Sequence, residues 1–164
     1  MKTVLFVCTG NTCRSPMAEG LLRKEMKQRG INENQVQVMS AGIFAQNGEP
    51  ATEHAVTVMR ERGVSLKSHR SRRLNHAMLE KADLILTMTT DHKQALLMMD
   101  AAVAERLFTI AEFVSDPETA GITDVADPFG GSPDMYRTTA EQLERLVKAL
   151  AQELAKADKT EEQP

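Results

Sequence analysis

The segment Cys8-Thr9-Gly10-Asn11-Thr12-Cys13-Arg14-Ser15 brings a thiol, a guanidinium and a hydroxyl together. Taken singly, each has a bland reading: a lone cysteine is most often a small buried hydrophobe. Taken together they specify a chemistry. The segment follows a short apolar run and precedes a Ser-Pro helix start, so its backbone N–H groups turn inward and form a nest for an anion. The positive end of the helix strengthens that field. Gly10 and Asn11 tolerate the left-handed backbone angles that a tight cradle requires. A dianionic phosphate fits such a nest. Cys8 sits at its mouth, where the same field favours a thiolate; cysteines at helix N-termini near arginine ionise at roughly 3.5–7.5 rather than 8.5. The sequence therefore predicts an ionised, nucleophilic Cys8. Arg14 is the only cation of the segment, and its planar fork can grip two phosphoryl oxygens during transfer. Ser15 is expected to cap the helix and to donate a hydrogen bond to the sulfur as it leaves a phospho-cysteine.

Cleaving a phosphate monoester or phosphoramidate also needs a proton for the leaving group. Asp127, in Asp127-Pro128-Phe129-Gly130-Gly131-Ser132, is the candidate acid. Pro128 stiffens the backbone beside it, and Gly130 and Gly131 let the loop shape itself to a substrate. Asp116 and Asp124 compete for the same role. By itself an Asp-Pro pair merely starts a turn; the first loop is what makes it part of a site.

These residues need elements to position them. Lys2 to Val7 is short, apolar and β-branched, the pattern of a buried strand. Ser15 as N-cap and Pro16 at the first helical position predict a helix, with Ala18, Leu21, Leu22 and Met26 on its buried face and Gly30 as its stop. Further strands are expected at residues 35–40, within 81–88 and at 106–110. Further helices are expected at 50–62, ending at Gly63, and at 91–99. Residues 120–133 form a Gly/Pro/Asp loop. Ser132-Pro133 then opens a long last helix with the buried stripe Leu143, Leu146, Val147, Leu150 and Leu154. Alternating strands and helices imply an α/β sandwich of three layers, a parallel sheet covered by helices on both faces. Ligands bind such sheets at the carboxyl ends of the strands, near the switch point in strand order, where the Cys8–Ser15 loop belongs.

The 164 residues suffice for one domain, expected over 1–157, with a frayed polar tail over 158–164. The formal net charge of −3 argues against a broad nucleic-acid footprint. One local exception is the basic cluster Lys67, His69, Arg70, Arg72 and Arg73, for which two readings stay open: a solvated loop, or a cationic rim that attracts a phosphorylated substrate. The apolar start of the chain stops at Thr9-Gly10-Asn11, short of a secretion signal, and no stretch approaches the ~20 apolar residues of a membrane span. The expectation is a cytoplasmic protein with no membrane partner. Its two cysteines, Cys8 and Cys13, read as chemistry rather than a disulfide scaffold. None of the four histidines (His54, His69, His76, His92) lies near them in sequence, so no metal is expected. Met88, Met98 and Met99 are read as core filler. Tyr136 either lines the pocket or packs.

The first loop, together with Asp127-Pro128-Phe129, resembles the low-molecular-weight protein tyrosine phosphatases. Ser40-Ala41-Gly42, Gly48-Glu49-Pro50-Ala51 and, more loosely, Ser68-His69-Arg70 match the same pattern, and the likeness runs from Lys2 to about Leu154. The resemblance implies a flavodoxin-like, Rossmann-like sheet of four parallel strands in the order 2-1-3-4. It implies Cys8 as nucleophile, Arg14 as phosphate clamp, and Asp127 as general acid and then as base for the attacking water. Thr9, Gly10, Asn11, Thr12, Cys13 and Ser15 would bind the phosphate, with Phe129 on the substrate. Asn11 and Ser40 would form a supporting network, with His69 beside it, and Ser15 would lower the Cys8 pKa. Cys13 would be a backdoor thiol able to trap oxidised Cys8 as a disulfide. No cofactor is implied, phosphorylated proteins are the implied substrates, and a monomer is expected.

Tyrosine-directed members usually carry a bulky aliphatic residue where this chain has Thr12, and two adjacent aromatics after Asp-Pro. Here Phe129 is followed by Gly130-Gly131. Both features resemble the protein-arginine phosphatases. A guanidinium stem is flat and rich in N–H donors; a Thr12 hydroxyl can meet one of them, and Phe129 can stack on the plane. Phosphoarginine is therefore the favoured substrate, with phosphotyrosine as the alternative. A thiol-linked arsenate reductase is set aside because its relay needs cysteines beyond the first loop, and none follows Cys13. A non-catalytic phosphate-binding module, or a carrier phosphorylated on Cys8, would not need Asp127 or would not turn over.

Overall fold

A computed structural model describes residues 1–114 and 116–161. β1 (Lys2–Cys8) is buried on both sides. Val4, Phe6 and Cys8 point into one core and Leu5 and Val7 into a second, as the two-residue period of a strand dictates. After α1 (Arg14–Gln28), β2 (Val36–Gly42) pairs in parallel with β1, from Lys2 opposite Val36 to Cys8 opposite Gly42. Next come α2 (Glu53–Glu61), α3 (His76–Lys81), β3 (Leu84–Thr87) and α4 (Thr90–Met99). A 3₁₀ turn (Ala101–Arg106) leads to β4 (Leu107–Thr109) and α5 (Ile110–Phe113). A second 3₁₀ turn (Pro117–Thr119) precedes α6 (Pro133–Glu161).

The four strands form one parallel sheet in the order β2-β1-β3-β4. Helices cover both faces. On one face, Leu21, Leu22 and Met26 of α1 share a core with Leu143, Leu146, Val147, Leu150 and Leu154 of α6. On the other, Leu79 of α3 and Leu96 of α4 pack over Leu5, Val7 and Ile85. Each such fully buried leucine contributes about 1.5–3 kcal/mol relative to exposure. β1 lies between β2 and β3, so the loops leaving β1 and β3 part at its carboxyl end and open a crevice there.

Several local expectations are corrected. α1 begins at Arg14, with Cys13 at the cap position and no side-chain cap; Ser15 is inside the helix, its hydroxyl turned toward Cys8. α2 begins at Glu53 rather than Pro50, because the Thr52 hydroxyl accepts from the Ala55 amide and sets the start. α3 stands where no helix was expected, opened by the Asn75 side chain, and it shortens the third strand to Leu84–Thr87. Met88 is core, but Met98 is 89% exposed and Met99 41%. Both lie at the carboxyl end of α4, whose core residue is Leu96. Helix α6 continues to Glu161, so the expected tail begins within it; residues 162–164 lie outside the described residues.

Candidate active site

The loop leaving β1 is closed by its neighbours. Gly42, opposite Cys8, has no room for a side chain: a Cβ there would stand 2.6 Å from the Thr9 carbonyl and 2.8 Å from the Asn11 amide. Asn11 takes a left-handed backbone (φ 55°) and is fully buried. Its side chain holds that strained turn in place. Asn11 Nδ2 donates to Ser15 Oγ and to Ser40 Oγ, both at 2.9 Å. Asn11 Oδ1 accepts from the Arg72 amide (2.9 Å), and the Asn11 carbonyl accepts from His69 Nε2 (2.7 Å). Ser40 Oγ in turn donates to Glu19 Oε2 at 2.5 Å. The supporting roles expected for Ser40 and His69 thus have a geometry, and the clamp also includes Glu19 and Arg72.

Cys8 Sγ lies 2.9 Å from Ser15 Oγ. Ser15 Oγ already accepts from Asn11, so its proton points to the sulfur. The sulfur is buried, the residue being 3% exposed. Burial pushes the Cys8 thiol up from its ordinary value, against the hydrogen bonds of the Ser15 hydroxyl and amide, the Arg14 charge and the Asn11 contact, which all push it down. The expectation of a lowered value is corrected: desolvation outweighs the loop's field.

Arg14 is buried, and its Nη1 donates to the Val125 carbonyl at 3.1 Å. Its Nη2 stands 3.3 Å from Asp127 Oδ2, and Asp127 is half-exposed. Asp127 Oδ1 accepts the Phe129 amide (3.1 Å), and the Gly131 amide closes a turn onto the Pro128 carbonyl (2.8 Å). Gly130, at φ 75°, occupies the position of that turn that favours glycine. The competitors serve elsewhere: Asp124 accepts from the Thr90 amide and hydroxyl at the start of α4, and Asp116 accepts from the Glu118 amide.

Cys8, Thr9, Gly10, Thr12, Cys13, Arg14, Asp127 and Phe129 line one cavity of about 180 Å³. Phe129 is 69% exposed at its rim. Asn11, Ser15, Ser40 and His69 stand behind this wall. The basic cluster does not line it; His69, Arg70 and Arg72 border a separate cavity of about 500 Å³ against Glu19 and Arg23. Tyr136 is buried behind the loop, its hydroxyl 3.3 Å from Cys13 Sγ and 3.2 Å from Thr52 Oγ1. Burial drives its phenol up to about 12.

His92 is a residue that sequence reasoning missed. Its Nε2 lies 2.8 Å from Thr9 Oγ1, and burial, followed by the Arg14 charge, pushes its pKa down to about 4. The available signal was its position, one turn past the carboxyl end of β3, beside the switch point.

The model of the family described as low molecular weight phosphotyrosine protein phosphatase matches residues 3–160. The chain belongs to this family. It is 44% identical over 153 residues to the protein-arginine-phosphatase of Bacillus subtilis, covering 93% of this chain and 97% of that protein. It is 37% identical over 147 residues to the low molecular weight protein-tyrosine-phosphatase PtpB of Staphylococcus aureus, covering 90% and 95%. A solved structure of the YwlE arginine phosphatase, a cysteine-to-serine mutant with a phosphorylated active site serine, superimposes with a TM-score of 0.85. It is 42% identical, covering 94% of this chain and 96% of that one.

Proposed function

We propose that this member of the low-molecular-weight phosphatase family hydrolyses phosphoarginine in proteins through a phospho-cysteine on Cys8. The observation that carries the reading is convergence: Cys8, Arg14 and Asp127, from opposite ends of the chain, meet on one small cavity.

In the first step the phosphoryl group sits over the loop amides and Arg14. The Cys8 thiol gives its proton to an oxygen of the bound dianion, and Sγ attacks phosphorus. The P–N bond breaks, and Asp127, entering as the carboxylic acid, delivers its proton to the leaving guanidine nitrogen. In the second step Asp127, now a carboxylate, takes a proton from water while that water attacks phosphorus. The S–P bond breaks, Ser15 steadies the departing sulfur, and inorganic phosphate leaves. Because Asp127 is half-exposed, its pair with Arg14 is worth about 1 kcal/mol at most, so the arginine readily exchanges it for phosphate.

Thr12 in the wall, a single exposed Phe129 at the rim, and the likeness to a protein-arginine-phosphatase favour phosphoarginine over phosphotyrosine. Among the described residues no helix is long and apolar enough to cross a membrane. We read the protein as a cytoplasmic monomer acting on phosphorylated proteins, with Cys13 as the backdoor thiol.

The test compares kcat/KM on a phosphoarginine-bearing protein with that on a phosphotyrosine peptide, using Cys8→Ser as the blank. A ratio above about ten, or about 1.4 kcal/mol of selective transition-state binding, supports arginine specificity. The reverse ratio makes the enzyme a tyrosine phosphatase. Turnover persisting in Cys8→Ser removes the nucleophile from the mechanism.

A further inference from the structure

We propose that His92 is a positioning residue for phosphoryl transfer: it holds Thr9 Oγ1 so that the Thr9 hydroxyl donates its proton into the pocket, to a phosphoryl oxygen. The inference rests on the phosphatase reading and adds a donor to it.

Thr9 follows the nucleophile directly and lines its cavity. Its carbonyl accepts the Phe44 amide at 3.0 Å, and its hydroxyl meets His92 Nε2 at 2.8 Å, so both ends of the residue are fixed. His92 is 8% exposed, and its own amide is capped by Thr89 Oγ1 at the start of α4. Its Nδ1 is buried with no hydrogen-bond partner among the described residues.

That orphan atom selects the tautomer. Were the ring proton on Nδ1, a buried N–H would go unpaired, the costlier kind of orphan. With the proton on Nε2, the unpaired atom is only a lone pair, and Nε2–H donates to Thr9 Oγ1. One lone pair of the hydroxyl is then occupied, and its proton has no acceptor among the described residues. Thr9 itself is exposed, so without substrate that proton meets water, and a bound phosphoryl group replaces the water with oxygens on which charge develops. Burial and the Arg14 guanidinium keep the ring neutral down to about pH 4, against the carboxylates of Asp127, Asp124 and Asp91. His92 therefore supplies one N–H without a second cation beside Arg14. Its helix is also tied to the acid loop: the Thr90 amide donates to Asp124 Oδ1, and the Val125 amide to the Met88 carbonyl, both at 2.9 Å.

The test is a double-mutant cycle on an aryl phosphate with Thr9→Val, His92→Phe and the pair, plus His92→Gln, whose carboxamide N–H can replace Nε2–H. Thermal unfolding is followed for each. We expect either single change to lower kcat about tenfold with KM moved less than twofold, for the loss of one neutral donor. The double variant should be no slower than the slower single, and His92→Gln should recover much of the rate. Imidazole ¹⁵N shifts should show Nε2 protonated. Additive losses near a hundredfold, a wild-type kcat in His92→Phe, or a proton on Nδ1 overturns the proposal while the phosphatase reading stands. Wild-type protein inert toward both a phosphoarginine-bearing protein and every aryl phosphate overturns both.

Discussion

Asp127 is tied to Arg14 and to the Phe129 amide, so its carboxylate already faces the cavity that a leaving group would enter. Asp127→Asn should slow substrates with poor leaving groups by about 10²–10³-fold and activated aryl phosphates much less, read from kcat on the two classes. Equal losses would deny it the role of acid. Ser15 is one of the groups that pull the Cys8 thiol down against burial. Ser15→Ala should therefore raise the Cys8 value further, seen as an upward shift in the pH dependence of alkylation, and should lower kcat. His92 carries a linkage of definite sign. Its value in the folded protein, about 4, lies below the ordinary 6.5. Between the two, the unfolded chain binds a proton that the folded chain refuses. Its contribution is complete above pH ~6.5 and is lost as pH falls toward 4. Urea titrations of the wild type and of His92→Gln at pH 7 and pH 4.5 should show the variant losing less stability.

At the scale of elements, the loop's shape depends on the strand beside it. Gly42→Ala puts a Cβ against backbone on two sides, where nothing flexible can yield. We expect a loss of about 1–3 kcal/mol and a larger fall in kcat/KM than in thermal stability, because the displaced atoms are the loop's own. Unchanged activity would show that the loop absorbs the shift. Strand and helix periodicity made most elements legible: Val4, Phe6 and Leu5, Val7 alternate between cores, and the leucine stripe of α6 is buried throughout. What escaped has physical reasons. A six-residue helix such as α3 has too few turns for a 3.6-residue period to register, and its mark was the Asn75 cap. Ser15-Pro16 carried a start signal two residues late: the cap is Cys13, and the Ser15 hydroxyl is turned to the sulfur. The Cys8–Ser15 loop and Asp127 were legible from residue type, whereas Glu19 and His92 were not. Their partners lie far along the chain, and no local pattern announces a tertiary hydrogen bond.

Across the whole molecule, α1 and α6 share the larger core, and α6 also brings Tyr136 to Cys13. Leu146→Ala should cost about 2–5 kcal/mol by the cavity it leaves. Its unfolding midpoint should fall while kcat at low temperature holds; a kcat that falls with intact folding would mean that the helix steers the loop. The basic cluster illustrates what composition leaves open. It ended away from the nucleophile, His69 and Arg72 bracing Asn11 from behind, because the chain's path and not its charge decides which surface it joins. The order of the chain has a further consequence. Cys8 and Arg14 are made near the start, while Asp127 and the Tyr136 brace are made 119 and 128 positions after Cys8. At ribosomal speeds that interval is on the order of 10 seconds. A chain still in synthesis therefore holds its nucleophile before it holds the acid that would protonate a leaving group.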